Sequence, residues 1–265
     1  MKIYEIINEV DDYSIGVLLY YEKDRQFIIE LNETLDRWKA PILLSSFVKK
    51  KIYTIPRDIS FLWVKDRVVP SGRQNIDVIL RNSKIKAYDE MKLLEVAEGR
   101  CAQDDFAIKK LSELPEFVKA RITRNVIECS TLSEGRILVF FADGTVRKVS
   151  LSRYKNIDGV EAILSNEKLY RSCKVGTGGY YITFNDSIDI PASELYKSGE
   201  LIPLGLDDFK SFIQNNVLDT SESCSLLECS RQNIAYMVKQ NQLTPVKEEV
   251  KGNIYLKGEV LKNTW

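Results

Sequence analysis

The stretch ECSRQNIAYMVKQNQL, Glu228 to Leu243, gathers amide, hydroxyl and cationic side chains in a window with no carboxylate from Cys229 through Lys247. Solvated helix faces usually carry glutamate beside lysine, so this composition needs a reason. Glutamine and asparagine present a donor and an acceptor side by side, which matches the major-groove edge of adenine. Arginine and lysine pair with phosphate, whereas a carboxylate would be repelled by it. The chemistry on offer is recognition by hydrogen bonding and charge, not bond making.

The elements that must position these groups follow from spacing. Ile234, Met237 and Val238 fall at i, i+3 and i+4, which predicts a helix over Arg231 to Gln240 with those three toward a core and Gln232, Asn233, Tyr236, Lys239 and Gln240 outward. Ser230 is its expected N-cap. A preceding helix is expected over Ser221 to Leu227, capped by Asp219 with Glu222 three residues on, and an earlier one over Leu206 to Val217. The turn between the last two is Glu228-Cys229-Ser230. The core expected for this region is Leu218, Leu227, Ile234, Met237, Val238, Leu243, Ile254 and Leu256.

In its order of elements, DTSESCSLLECSRQNIAYMVKQNQLTPVKEEVKGNIYLKGEVLK resembles the excisionase and MerR-type winged helix-turn-helix: a short helix, a tight turn, a recognition helix, a hairpin wing and a final helix. The resemblance implies DNA binding. It places Ser230, Arg231, Gln232, Asn233, Tyr236 and Lys239 in the recognition helix and Lys247 to Gly252 in the wing, with Lys251 at the tip. KEEVKGN departs from the basic wings of that class, since Glu248 and Glu249 oppose phosphate contact. The alternative is a small helical module that docks on its own chain or on a protein partner, with Tyr236 as an apolar anchor.

In the middle of the chain, RILVFFADGTVRKVSL is two β-rich runs joined by Asp143-Gly144, a pair that predicts a type I′ hairpin. A helix at Gly159 to Leu164, strands near Leu169 to Val175 and Tyr180 to Phe184, and a helix opened by Pro191 are expected after it. These residues, with the ending IDIPASELY, resemble the bacterial domain-of-unknown-function family 2442 over roughly Ile122 to Leu201. That implies a small α+β fold and brings no established activity.

Upstream, KIYEIINEV, SIGVLLYY and QFIIEL alternate as antiparallel strands. A helix around Thr34 to Lys50 interrupted by Pro41, a strand at Ile59 to Val64 and helical windows from Gln74 to Leu111 are expected next. A new strand pattern starts at Ile122. With a boundary at SELPE, Ser112 to Glu116, the chain reads as α+β in three parts: a mixed N-terminal domain at 1–115, the family-2442-like domain at 116–205 and a helix-turn-helix domain at 206–265. The tetrapeptide RQNI also occurs at Arg73 to Ile76, with Ile76, Ile79 and Leu80 repeating the apolar spacing. What precedes it ends in Pro70-Ser71-Gly72 and supplies no first helix, so the repeat is read as coincidence. The likeness of the first hairpin to RILVFFADGTVRKVSL is read as common hairpin chemistry.

Composition excludes several classes. Lys plus Arg and Asp plus Glu are equal at 38, so a nucleic-acid partner must be met by a local patch and not by a global field. The absence of histidine removes Ser-His-Asp and Cys-His catalysis and most zinc sites. Five scattered cysteines without CxxC and a start lacking an h-region suit a reduced, cytoplasmic protein. GTGG at Gly176 to Gly179 lacks phosphate-loop framing and reads as a hairpin turn. Asp104, Asp105, Glu113, Asp186 and Asp189 form no metal signature. The expectation is a non-enzymatic DNA-binding regulator, without cofactor and without membrane association, binding DNA or else a protein partner, as a homodimer.

Overall fold

Alternating apolar residues make the first thirty positions an antiparallel meander in the computed structural model, which describes residues 1–202, 206–247 and 255–264. The fold is α+β. The chain divides into two units, Met1–Val118 and Lys119–Trp265.

In the first unit, β1 (Lys2–Asn8), β2 (Tyr13–Tyr21) and β3 (Gln26–Leu31) are followed by α1 (Ile42–Lys49), β4 (Thr54–Ile55), α2 (Arg57–Lys65), α3 (Ile76–Asn82), α4 (Glu90–Val96) and β5 (Phe106–Leu111). The sheet order is β4-β3-β2-β1-β5, with every neighbour antiparallel. Its core runs from Ile6, Leu18 and Ile29 to Trp63, Val64 and Leu94 on the helices.

Three expectations for this unit change. Ile59 to Val64 is helix α2 and not a strand, because Ser60, Trp63 and Val64 are buried at i, i+3 and i+4, a helical stripe inside an apolar run that also suits a strand. Pro56 sets the extended entry to that helix, and Asp58 lies in its first turn. The helical windows from Gln74 end with α4, and Phe106–Leu111 is instead an edge strand whose partner, β1, lies about a hundred residues upstream. The helix around Pro41 is confined to α1, which starts after the proline has fixed an extended φ/ψ at its N-cap.

α5 (Glu116–Ile122) comes next, so the strand expected from Ile122 begins only at β6 (Val126–Thr131). The second unit continues with β7 (Arg136–Phe141), β8 (Val146–Ser150), α6 (Val160–Ser165), α7 (Glu167–Arg171), β9 (Lys174–Val175), β10 (Tyr181–Phe184), β11 (Ile188–Pro191), α8 (Ala192–Ser198) and β12 (Glu200–Leu201). Its C-terminal part is α9 (Leu206–Asn216), β13 (Val217–Leu218), α10 (Thr220–Leu227), α11 (Arg231–Lys239), β14 (Tyr255–Leu256) and α12 (Lys257–Lys262). The sheets are β12-β8-β7-β6, β11-β10-β9 and the short pair β13-β14.

The β7–β8 hairpin forms, but its turn is not type I′. Gly144 alone takes positive φ, at 83°, Asp143 does not, and Gly144 N–H donates to Phe141 O at 3.0 Å. A type I turn followed by a left-handed glycine closes the hairpin. Asp143 Oδ1 accepts from Thr145 N–H at 2.9 Å, so the aspartate supports this turn through its side chain. Leu169 lies in helix α7 and not in a strand, because Asn166 Oδ1 caps Leu169 N–H at 3.2 Å. GTGG connects β9 to β10, the hairpin position expected of it.

Candidate nucleic-acid interface

Helices α10 and α11 are cut out by their caps. Asp219 Oδ1 accepts from Glu222 N–H and Glu222 Oε2 accepts from Asp219 N–H, both at 2.8 Å, so two otherwise orphaned donors are satisfied at the start of α10. Glu228 ends α10 in the left-handed region at φ 51°, and Cys229 N–H donates to Cys224 O at 3.0 Å. Two residues later Ser230 Oγ accepts from Asn233 N–H at 3.3 Å and opens α11. The reversal is therefore tight, and the first turn of α11 is held in a defined orientation to α10.

Ile234 is the keystone of this pair at 1% exposure. It packs with Leu243, Tyr255 and Val260, with Leu218, Leu227, Met237 and Val238 partly buried around it. Of the expected core, Leu256 is half-buried outside this cluster, and Ile254 lies outside the described residues. Tyr255 and Val260, which periodicity in the short C-terminal runs did not single out, complete it.

Burial of that one stripe leaves Arg231, Gln232, Asn233, Tyr236 and Lys239 exposed on α11. Among the described residues, the side chains of Gln232, Asn233, Tyr236 and Lys239 make no hydrogen bond or ion pair within the chain, so their polar groups meet solvent. Arg231 Nη2 leans back on Ser221 Oγ at 3.0 Å, and Ser230 is engaged as the cap. Ser230 thus acts first on the helix and only then on any ligand. Lys247 is exposed, and Lys251, with the rest of the expected wing at 248–252, lies outside the described residues. The arrangement presents amides, a phenol and two cations on one surface without a nearby carboxylate on the same helix. It has no nucleophile with a base beside it. Among the described residues no group of three or more metal-ligating side chains converges.

The helix pair is fastened to the second unit's main sheet by neighbours of α11. Phe212 of α9 lies with its ring 4.9 Å from that of Phe140 on β7, and Lys148 Nζ bonds Asp208 at 2.8 Å. From the other side, the start of α12 meets strand β6. Gly258 N–H donates to Glu128 Oε2 at 2.5 Å, while Cys129 N–H donates to the same carboxylate's Oε1 at 3.0 Å. Position 258 must be glycine, since a Cβ there would stand 2.3 Å from Ile127 O. Glu128 is only 5% exposed, and burial pushes its carboxyl up to about 7, partly offset by the two N–H donors and by Lys257 and Lys262. Sequence reasoning passed over this residue. A carboxylate in the apolar strand VIECST was the available signal. The module does dock on its own chain, but through α9 and α12, and Tyr236 stays 57% exposed.

No family model matches the chain, and neither a curated protein nor a solved structure matches it. Among the described residues no helix is long and apolar enough to cross a membrane.

Proposed function

We propose that the protein is a sequence-specific DNA-binding regulator and that α11 is its recognition helix. The observation that carries the reading is the exposed, carboxylate-free face of α11, on which Gln232, Asn233 and Tyr236 make no hydrogen bond within the described chain, set on a helix whose first turn is capped and whose opposite stripe is buried. In a major groove, Gln232, Asn233 and Tyr236 choose the bases, while Arg231 and Lys239 grip the backbone. Lys247 and Lys251 add phosphate contacts from the segment that the resemblance assigns to a wing. A homodimer reads two half-sites about one helical turn apart.

The testing experiment is a titration of fluorescent duplex DNA across a range of salt, with the oligomeric state fixed by sedimentation in the same buffer. Four candidate phosphate contacts, Arg231, Lys239, Lys247 and Lys251, give a monomer a slope of log K against log salt no steeper than about −3.6, and a dimer roughly −7. Absence of binding above background at low salt, where electrostatics are most favourable, removes the reading. Association with a protein that is lost on substitution of Tyr236, without any DNA binding, replaces it with the reading of a module that docks on a protein partner.

A further inference from the structure

The first unit carries a feature that DNA recognition by α11 does not use. Trp38 and Ile42 are exposed to 81% and 94%, extreme values for an indole and a branched aliphatic chain four residues apart. They line an open cleft of about 400 Å³ together with Arg37, Ala40, Ser45 and Lys49. The segment from Asp36 to Lys51 holds five cations, Arg37, Lys39, Lys49, Lys50 and Lys51, against the single acid Asp36. Among the described residues none of the five is paired with a carboxylate. Asp36 is engaged locally, its Oδ1 accepting from Trp38 N–H at 2.8 Å.

An exposed apolar patch ringed by polar groups marks an interaction surface, and here the uncompensated charge fixes the sign of the partner. Tryptophan and arginine are also the side chains that most often anchor protein contacts. Three anionic partners would answer the charge, and the geometry separates them. A lipid surface needs an amphipathic helix that lays its apolar face outward. α1 has eight residues and turns its apolar stripe, Leu44 and Val48, into the unit's own core. Single-stranded nucleic acid needs repeated stacking platforms along a groove. Trp38 is one indole, and the Arg37 guanidinium already lies 4.4 Å from its ring centre. A concave, apolar-walled cleft with cations among its walls fits an inserted side chain flanked by carboxylates.

We propose that this cleft docks an acidic peptide segment of a partner protein, which places one apolar side chain between Trp38 and Ile42 and its flanking carboxylates on Arg37 and Lys49. The contact is independent of whether α11 binds DNA. The experiment uses the full chain and an array of short fluorescent peptides, each with one leucine, isoleucine, phenylalanine, tyrosine or tryptophan between glutamates. The controls are peptides with serine at the centre or lysines at the flanks, phosphatidylserine vesicles and a single-stranded oligonucleotide. The expected result is saturable binding by at least one acidic peptide and by neither control peptide. It weakens about tenfold or more in Trp38→Ala and in Lys49→Glu, the scale of losing an interface anchor. Both side chains are exposed, so an unchanged melting temperature is the folding control, and Ile42→Ser provides a third variant at the most exposed position. Failure of every acidic peptide, or binding indifferent to all three substitutions, overturns the proposal. Tighter, Trp38-dependent binding of the vesicles or of the oligonucleotide also overturns it, in favour of that occupant.

Discussion

The tetrapeptide Arg-Gln-Asn-Ile stands once in each unit, and its two copies come to different ends. At Arg231–Ile234 it forms the first turn of α11, because Ser230 caps Asn233 N–H and Ile234 drops to 1% exposure in the cluster below. At Arg73–Ile76 the first three residues form a turn closed by Ile76 N–H donating to Arg73 O at 3.0 Å, and helix α3 starts only at Ile76. Asn75 is the N-cap there, but its side chain makes no capping hydrogen bond, and no residue of α3 is buried. Identical residues become a presented face in one place and a loosely seated turn in the other. The flanks decide: a serine cap after a left-handed glutamate in one copy, Pro70-Ser71-Gly72 in the other.

That contrast can be broken by substitution, and the largest effect belongs to the core. Ile234→Ala is expected to destabilise the protein by about 2–5 kcal/mol in denaturant unfolding followed by circular dichroism, whereas Ile76→Ala, half-buried on α3, costs well below that range. Equal losses would mean that α11 is not the anchored helix of the two.

The next effect concerns what fastens the α11 module to its sheet. Burial raises the Glu128 carboxyl from its ordinary value of 4.5 to about 7 in the folded chain, so the folded state holds a proton that the unfolded state has released between those pH values. The stability this group contributes is full below pH 4.5 and is lost as pH rises through about 7. At about 1.4 kcal/mol per unit, the loss is on the order of 3 kcal/mol. Glu128→Gln cannot titrate, so the stability difference between wild type and variant should shift by about that amount across the window, read by unfolding at a series of pH values. A difference independent of pH would show that the carboxyl is not desolvated against Gly258.

For DNA, Gln232→Ala should relax preference at one base position by ~1–3 kcal/mol, and Lys239→Ala should weaken all duplexes alike. Gln74→Ala, the matching change in the other copy, should leave preference intact. Competition binding with single-base variants of a bound duplex measures all three, and an effect of Gln74 equal to that of Gln232 would dissolve the distinction between the copies. The smallest effect is at the caps. Ser230→Ala should cost about 1 kcal/mol, while Asn75→Ala, whose side chain caps nothing, should fall within a few tenths, both from denaturant midpoints.

Where a short local rule dominates, the chain could be read directly. The Asp219–Glu222 capping box, the Ser230 cap and the Ile234 stripe are i, i+3 and i, i+4 relations, and they form as their spacing dictates. Readings that needed a distant partner did not follow from local pattern. Ile59 to Val64 is an apolar run that either period can describe, and its packing against β3 makes it a helix. Phe106–Leu111 is a strand because β1 offers an edge nearly a hundred residues away. Glu128 stands out as a carboxylate in the apolar run VIECST, but its partner, Gly258, lies 130 positions on and is not specified by local pattern. In the Asp143-Gly144 turn the dipeptide was a sound sign of a hairpin, but loop length selected the turn type. For the α11 face, residue type and exposure were both legible. Lys251 and the rest of the expected wing lie outside the described residues.

Selection from a randomised duplex pool decides whether α11 reads sequence. The full-length protein is incubated with the pool at low salt, bound DNA is recovered over several rounds, and the bound pool is sequenced for wild type and for the Gln232→Ala variant. The expected result is an enriched motif for wild type that loses information at one position in the variant while the remaining positions persist. Recovery of no duplex above background, or of an unenriched pool identical for both proteins, would contradict it.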